Sequence, residues 1–133
     1  GPSIVQQGTP AVAAASGPQE RWQPWSSQRV AELTAEGRPV FVDFTAAWCV
    51  TCQANKVAAL DRDEVQTAFR DGNVTLLMGD WTNRDPAITD ILSRFGRSGV
   101  PLYLLYRPDG TVQVLPELLT PGIVLDAVKG GQQ

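Results

Sequence analysis

Histidine is absent from all 133 residues. With it go the commonest general base and the commonest transition-metal ligand, so serine-protease-like, zinc-metallopeptidase and His-paired cysteine-protease chemistries are excluded. Long apolar runs are missing too: the longest, such as Val100–Tyr106 and Val74–Met78, fall far short of the roughly 18 residues a membrane-crossing helix needs. Positive charge is sparse and unclustered, with 11 Lys and Arg against 14 Asp and Glu and a net charge of −3. Neutralising nucleic-acid phosphates takes clustered cations, so no nucleic-acid partner is expected. What remains is 43% hydrophobic and 19% charged, ordinary for one globular domain with a real core.

The first 21 residues stand apart. They are rich in Ala, Gly, Pro, Ser and Gln and carry little apolar periodicity, so they read as a flexible linker ahead of a domain at 22–133. The chain opens on Gly1-Pro2 and its sole methionine is Met78. That start reads as a protease scar on a piece cut from something longer, with a processed secreted chain as the alternative.

From Trp22 onward, helix and strand signals alternate. Ser26 or Ser27 caps a helix carrying Val30 and Leu33, and Gly37 stops it before Pro39. Pro39–Ala46 reads as a strand buried on both faces. A helix is expected from about Cys49 to Leu60, with Cys52, Val57 and Leu60 turned to one side. Asp61 with Glu64 resembles a capping box that restarts a helix through Val65, Ala68 and Phe69, closed by Gly72. Val74–Asp80 reads as a second strand. Asp85-Pro86 then opens a helix with Ile88, Ile91, Leu92 and Phe95 on one face and Gly96 as its stop. Leu102–Tyr106, a turn at Arg107–Gly110 and Thr111–Leu115 form a hairpin, and Thr120-Pro121 opens the last helix. Trp22 and Trp25 read as core or edge packing, and Trp81, Thr82 and Asn83 as a strand-to-helix loop. The order predicts an α/β fold, a central mixed sheet flanked by helices.

Cys49 and Cys52 are the two cysteines, three positions apart between a strand and a helix. As a staple the pair is weak, because closing so short a loop is worth only about 2 kcal/mol in the chain-entropy model. As a metal clip it is also weak: structural zinc wants four ligands, and carboxylates alone would have to complete the set. No metal is expected. Thiol chemistry suits the placement, since unpaired N–H groups and the helix dipole at a helix start favour the thiolate of the first sulfur. Cys49 is therefore the expected nucleophile. Cys52, about one turn further in, is close enough to resolve a mixed disulfide by closing onto Cys49.

The run Val42, Asp43, Phe44, Ala46, Trp48, Cys49 and Cys52 resembles the active-site strand and turn of the thioredoxin superfamily, and Gly99–Pro101 resembles that family's loop facing the disulfide. More narrowly, Val50-Thr51 between the cysteines, Asp80–Pro86, and Gly99–Gly110 followed by Leu115–Pro121 are similar to the C-terminal domain of the transmembrane thiol:disulfide interchange protein DsbD and its relatives. The similarity spans about Trp25 to Lys129.

The resemblance implies a thioredoxin fold and a thiol–disulfide oxidoreductase, a protein-disulfide reductase needing no cofactor beyond the redox-active Cys49–Cys52 pair. It implies a periplasmic domain tethered to the inner membrane. A membrane-embedded reductase domain of the same protein would supply electrons, and periplasmic thiol–disulfide proteins would accept them. A monomer is the expectation for the fragment. By the same analogy Asp43 is a buried carboxylate that takes or relays the proton of Cys52. Val100-Pro101 is a cis bond beside the disulfide where an incoming peptide docks, and Trp48 shields the sulfur and joins that docking surface, unless it only packs. Lys56 departs from the pattern, standing where DsbD-type domains often carry a glutamate. Two other readings are a free-standing oxidant or isomerase of the same fold, and a binding or metal-carrying module without turnover.

Overall fold

The structure, a computed structural model, describes residues 21–130. The expected linker at 1–21 lies, but for Arg21, outside them.

Strand β2 (Val40–Thr45) is the centre of the domain, buried at every position because it has a neighbour on each side and helices on each face. It pairs in parallel with β3 (Thr75–Asp80) and antiparallel with β4 (Leu102–Tyr106). Strand β5 (Val112–Leu115) extends the sheet antiparallel beyond β4. On the other edge a short strand, β1 (Trp22–Pro24), runs parallel to β3, giving the order β1-β3-β2-β4-β5. Trp22 packs against the core at the sheet edge, as expected, but the strand it belongs to was not foreseen: three residues are too few to show a period of two, and only the pairing with Leu76, Leu77 and Met78 defines it.

Alternation along β2 sorts the two cores. Val40, Val42 and Phe44 pack with Leu77, Leu102 and Leu104 against α1 (Ser27–Ala35) and α4 (Pro86–Arg94) through Leu33, Ile88 and Leu92. Phe41, on the opposite face, packs with Leu76, Tyr103 and Leu105. That side is covered by the helical stretch through Ala59 and Leu60, by α3 (Asp63–Asp71) and by α5 (Pro121–Gly130). Asp43 belongs to the same face as Phe41.

Most boundaries follow their local signals. Ser26 accepts the Arg29 N–H at 3.0 Å, and Asp85 caps α4 through the Ala87 N–H with Pro86 in the first turn. Gly37 and Gly96 take the left-handed conformation that ends α1 and α4. At the end of α3, Gly72 keeps a negative φ and Asn73 turns left-handed instead.

Two expectations fail between 56 and 64. The helix from Val50 is α-helical only to Asn55 (α2) and widens to a π turn over Lys56–Leu60. Val57 then stands 74% exposed while Leu60 is buried. Nor is Asp61 an N-cap: its backbone is helical (φ −87°, ψ −1°), and its N–H closes the π turn onto the Lys56 carbonyl at 2.8 Å. An N-cap needs extended backbone, which Arg62 supplies (φ −69°, ψ 141°).

Candidate active site

The disulfide sits just past the carboxyl ends of β2 and β3, where loops from several strands converge. Cys49 is the N-cap of α2 in extended conformation, and its Sγ accepts the Cys52 N–H at 3.1 Å. The two cysteines are joined, with Cα atoms 5.2 Å apart. Both are buried, Cys49 at 7% and Cys52 at 1% exposed, so Cys49 is the less deeply covered of the two. Ala46 and Val100 pack around the pair. Pro101 follows a cis Val100-Pro101 bond and is buried beside the end of β2, where Leu102 pairs with Phe44.

The turn that presents Cys49 is held from outside by the loop after β3. Thr82 Oγ1 accepts the Ala47 N–H at 2.8 Å and donates to Asp80 at 2.5 Å, while the Thr82 carbonyl accepts the Trp48 indole N–H at 3.0 Å. Hydrogen bonds from Thr82 hold the Asp80 carboxyl below the usual carboxylate range. Trp81 is buried, donates to Thr89 Oγ1 and lies 5.9 Å from the Trp48 ring. The Arg84 guanidinium lies 4.9 Å from the Trp48 ring centroid and 5.4 Å from that of Trp81. Asp80, Trp81, Thr82 and Arg84 thus do more than shape a loop: they fix the half-exposed Trp48 next to Cys49. The Asp-x-Thr spacing of 80–82, a local side-chain-to-backbone turn, was the signal in the sequence that could have marked this clamp.

Asp43, two residues before the end of β2, is 1% exposed. Among the described residues neither of its oxygens has a hydrogen-bond partner. Burial pushes its carboxyl up to about 7; the nearby Lys56 ammonium opposes the rise and Asp61 adds to it. Tyr103 is raised as well, by burial and then by the charge of Asp43. The Tyr103 hydroxyl accepts from Asn55 Nδ2 at 2.8 Å. Buried Asn55 also donates to the Glu117 carbonyl and accepts the Leu119 N–H, fastening α2 to the 116–119 loop. Sequence inspection passed over Asn55, since an asparagine inside a helical run gives no sign of partners more than 60 residues away.

Cys49, Cys52 and Val100 pack together, with Trp48 in the turn just before Cys49 and Pro101 at the adjoining strand start, while Lys56 lies near Asp43. No group of three or more His, Cys, Asp or Glu among the described residues is placed to hold a metal ion.

A family model described as thioredoxin-like matches residues 21–108. The chain belongs to the thioredoxin-like family. Among curated proteins it is 33% identical over 84 residues to thiol:disulfide interchange protein DsbD 1 of Pseudomonas aeruginosa, covering 61% of this chain and 13% of that protein. It is 36% identical over 76 residues to DsbD of Cronobacter sakazakii, covering 57% and 13%. The chain thus matches only about an eighth of the length of these curated relatives. Among solved structures, the C-terminal domain of Neisseria meningitidis DsbD in the oxidised form superposes with a TM-score of 0.66 at 21% identity, covering 81% of this chain and 97% of that one. The reduced form gives 0.63 at 20% identity. The fold is thus a thioredoxin fold, with the Cys49–Cys52 disulfide at the head of α2.

Proposed function

We propose that this domain is a reducing electron relay, taking electrons from a membrane-embedded reductase domain of the same protein and passing them to periplasmic thiol–disulfide proteins. The observation that carries the reading is a Cys49–Cys52 disulfide at the head of a helix, in a domain similar in sequence to DsbD proteins. The periplasmic location and the tether to the inner membrane rest on that similarity.

In the reducing direction, the Cys49 thiolate attacks a sulfur of the partner's disulfide. A mixed disulfide forms, and the partner's other sulfur leaves as a thiolate that takes a proton from solvent. Cys52 then loses its proton to the Asp43 carboxylate and attacks Cys49 Sγ. The Cys49–Cys52 bond closes, the partner's second sulfur leaves as a thiolate that takes a proton from solvent, and the partner departs as a dithiol carrying two electrons. Asp43 suits that step because a base works best with a pKa near the operating pH, and burial has brought its own to about 7. In this reading Trp48 and Val100 supply the docking surface at Cys49, and Pro101, itself buried, sets the main chain beside them.

Trapping tests the relay. Replacing Cys52 by Ala in the full-length protein leaves Cys49 linked to whatever it attacks. Recovery of adducts with both a membrane-domain cysteine and a soluble periplasmic thiol protein supports the proposal; absence of adducts under every redox condition refutes it. A reduction potential near or above about −120 mV would instead mark an oxidant.

A further inference from the structure

A small cavity of about 30 Å³ lies against Asp43, lined by Trp22, Asp43, Lys56, Leu60, Asp61 and Met78. That volume holds a single water. Trp22, Leu60 and Met78 are apolar walls, so its polar lining is one buried carboxyl and two charged side chains, Lys56 and Asp61, both partly open to solvent. A carboxyl with no protein hydrogen bond cannot hand a proton along a side-chain network. The cavity offers it a way out.

The π turn is what puts both charges there. Residues 56 and 61 are five apart and would point about 140° away from each other on a regular α-helix. Closing the Asp61 N–H onto the Lys56 carbonyl wraps those five residues into one wider turn, and both side chains meet the same cavity. An unusual helical turn beside a reactive pair is a common mark of function.

We propose that Asp61 is the proton port of Asp43, receiving through the cavity the proton taken from Cys52 and releasing it to solvent, while Lys56 keeps Asp43 able to ionise. This rests on the reading of Asp43 as the acceptor for Cys52. The step balances: Cys52 Sγ–H gives its proton to Asp43, and the sulfur's electron pair forms the bond to Cys49 as the partner's thiolate leaves. Asp43 then passes the proton to the Asp61 carboxylate, which returns it to water. The charged and titratable groups facing Asp43 are Lys56 on the π turn, Asp61 at its end and Tyr103 from β4. Strands β1 and β3 contribute only uncharged Trp22 and Met78 to the cavity. Burial raises the Asp61 carboxyl above its ordinary value, with the Lys56 ammonium opposing the rise.

The test measures the Cys52-dependent release of a chromogenic thiol from a mixed disulfide on Cys49 against pH, in wild type, D61N, D61S, K56Q and D43N. Losing the port should slow the plateau rate about tenfold in both Asp61 variants, short of the roughly 100-fold expected when the base itself is lost in D43N. Small carboxylates such as formate should restore the Asp61 variants. Removing the cation in K56Q should move the acid limb to higher pH, and removing the like charge in D61N should move it to lower pH. Asp61 and Lys56 variants that superimpose on wild type while D43N is slow would overturn the port and leave Asp43 as the base. A D43N protein as fast as wild type would overturn the reading beneath it.

Discussion

Replacing Asp43 by asparagine should flatten the pH dependence of folding stability in the oxidised protein. Burial raises this carboxyl from 3.8 to about 7, while in the unfolded chain it returns to its ordinary value. Between those limits the folded state holds a proton that the unfolded state has lost. Stability is therefore fully present below about pH 3.8 and falls as pH rises through 7. At about 1.4 kcal/mol for each pH step between the two values, the loss reaches about 4 kcal/mol by pH 9, more than half of it between pH 5 and 8.5. Asparagine has no proton to lose, and its own cost as a buried unpartnered amide is the same at every pH. The difference in slope thus isolates the carboxyl. Urea unfolding of wild type and D43N at several pH values, with the disulfide intact, measures it. Parallel curves for the two proteins would show that Asp43 does not titrate abnormally, and would remove its claim to be the base for Cys52.

Three further outcomes follow from packing and contacts. Truncating Asn55 to Ala leaves the Tyr103 hydroxyl, the Glu117 carbonyl and the Leu119 N–H without their partner, and should cost about 2–3 kcal/mol in chemical denaturation. Placing alanine at Gly79 would put its Cβ 2.5 Å from Phe44 Cδ1 and 2.8 Å from Cε1, against the central strand. Overpacking of about 1–3 kcal/mol is expected, read as a lower unfolding midpoint with unchanged denaturant slope. Removing the guanidinium in Arg84→Ala frees the Trp48 ring. A loss of about 1 kcal/mol, some fivefold in kcat/KM, should appear with a protein disulfide as substrate but not with a small disulfide.

The strands buried on both faces and the capped helices were legible because their signals are local. Apolar runs at 40–42 and 102–105, and Asp85-Pro86 ahead of a four-residue apolar stripe, each carry their own meaning. The reactive pair was legible for a similar reason: a strand end, two cysteines and a helix start are contiguous. What stayed hidden was set by partners distant in the chain. Strand β1 exists through β3, Asn55 matters through residues 103–119, and the grip on Trp48 comes from 81–84. The π turn was missed for another reason. Nothing in Lys56–Leu60 disfavours an α-helix, and the widening shows only in where Val57, Leu60 and Asp61 end up.

The 5.2 Å between the Cα atoms of Cys49 and Cys52 is about what any two residues three apart on a helix show, and it falls inside the span a disulfide tolerates. Closing the bond therefore takes no reach from the main chain: the two sulfurs are joined where the start of the helix already holds them.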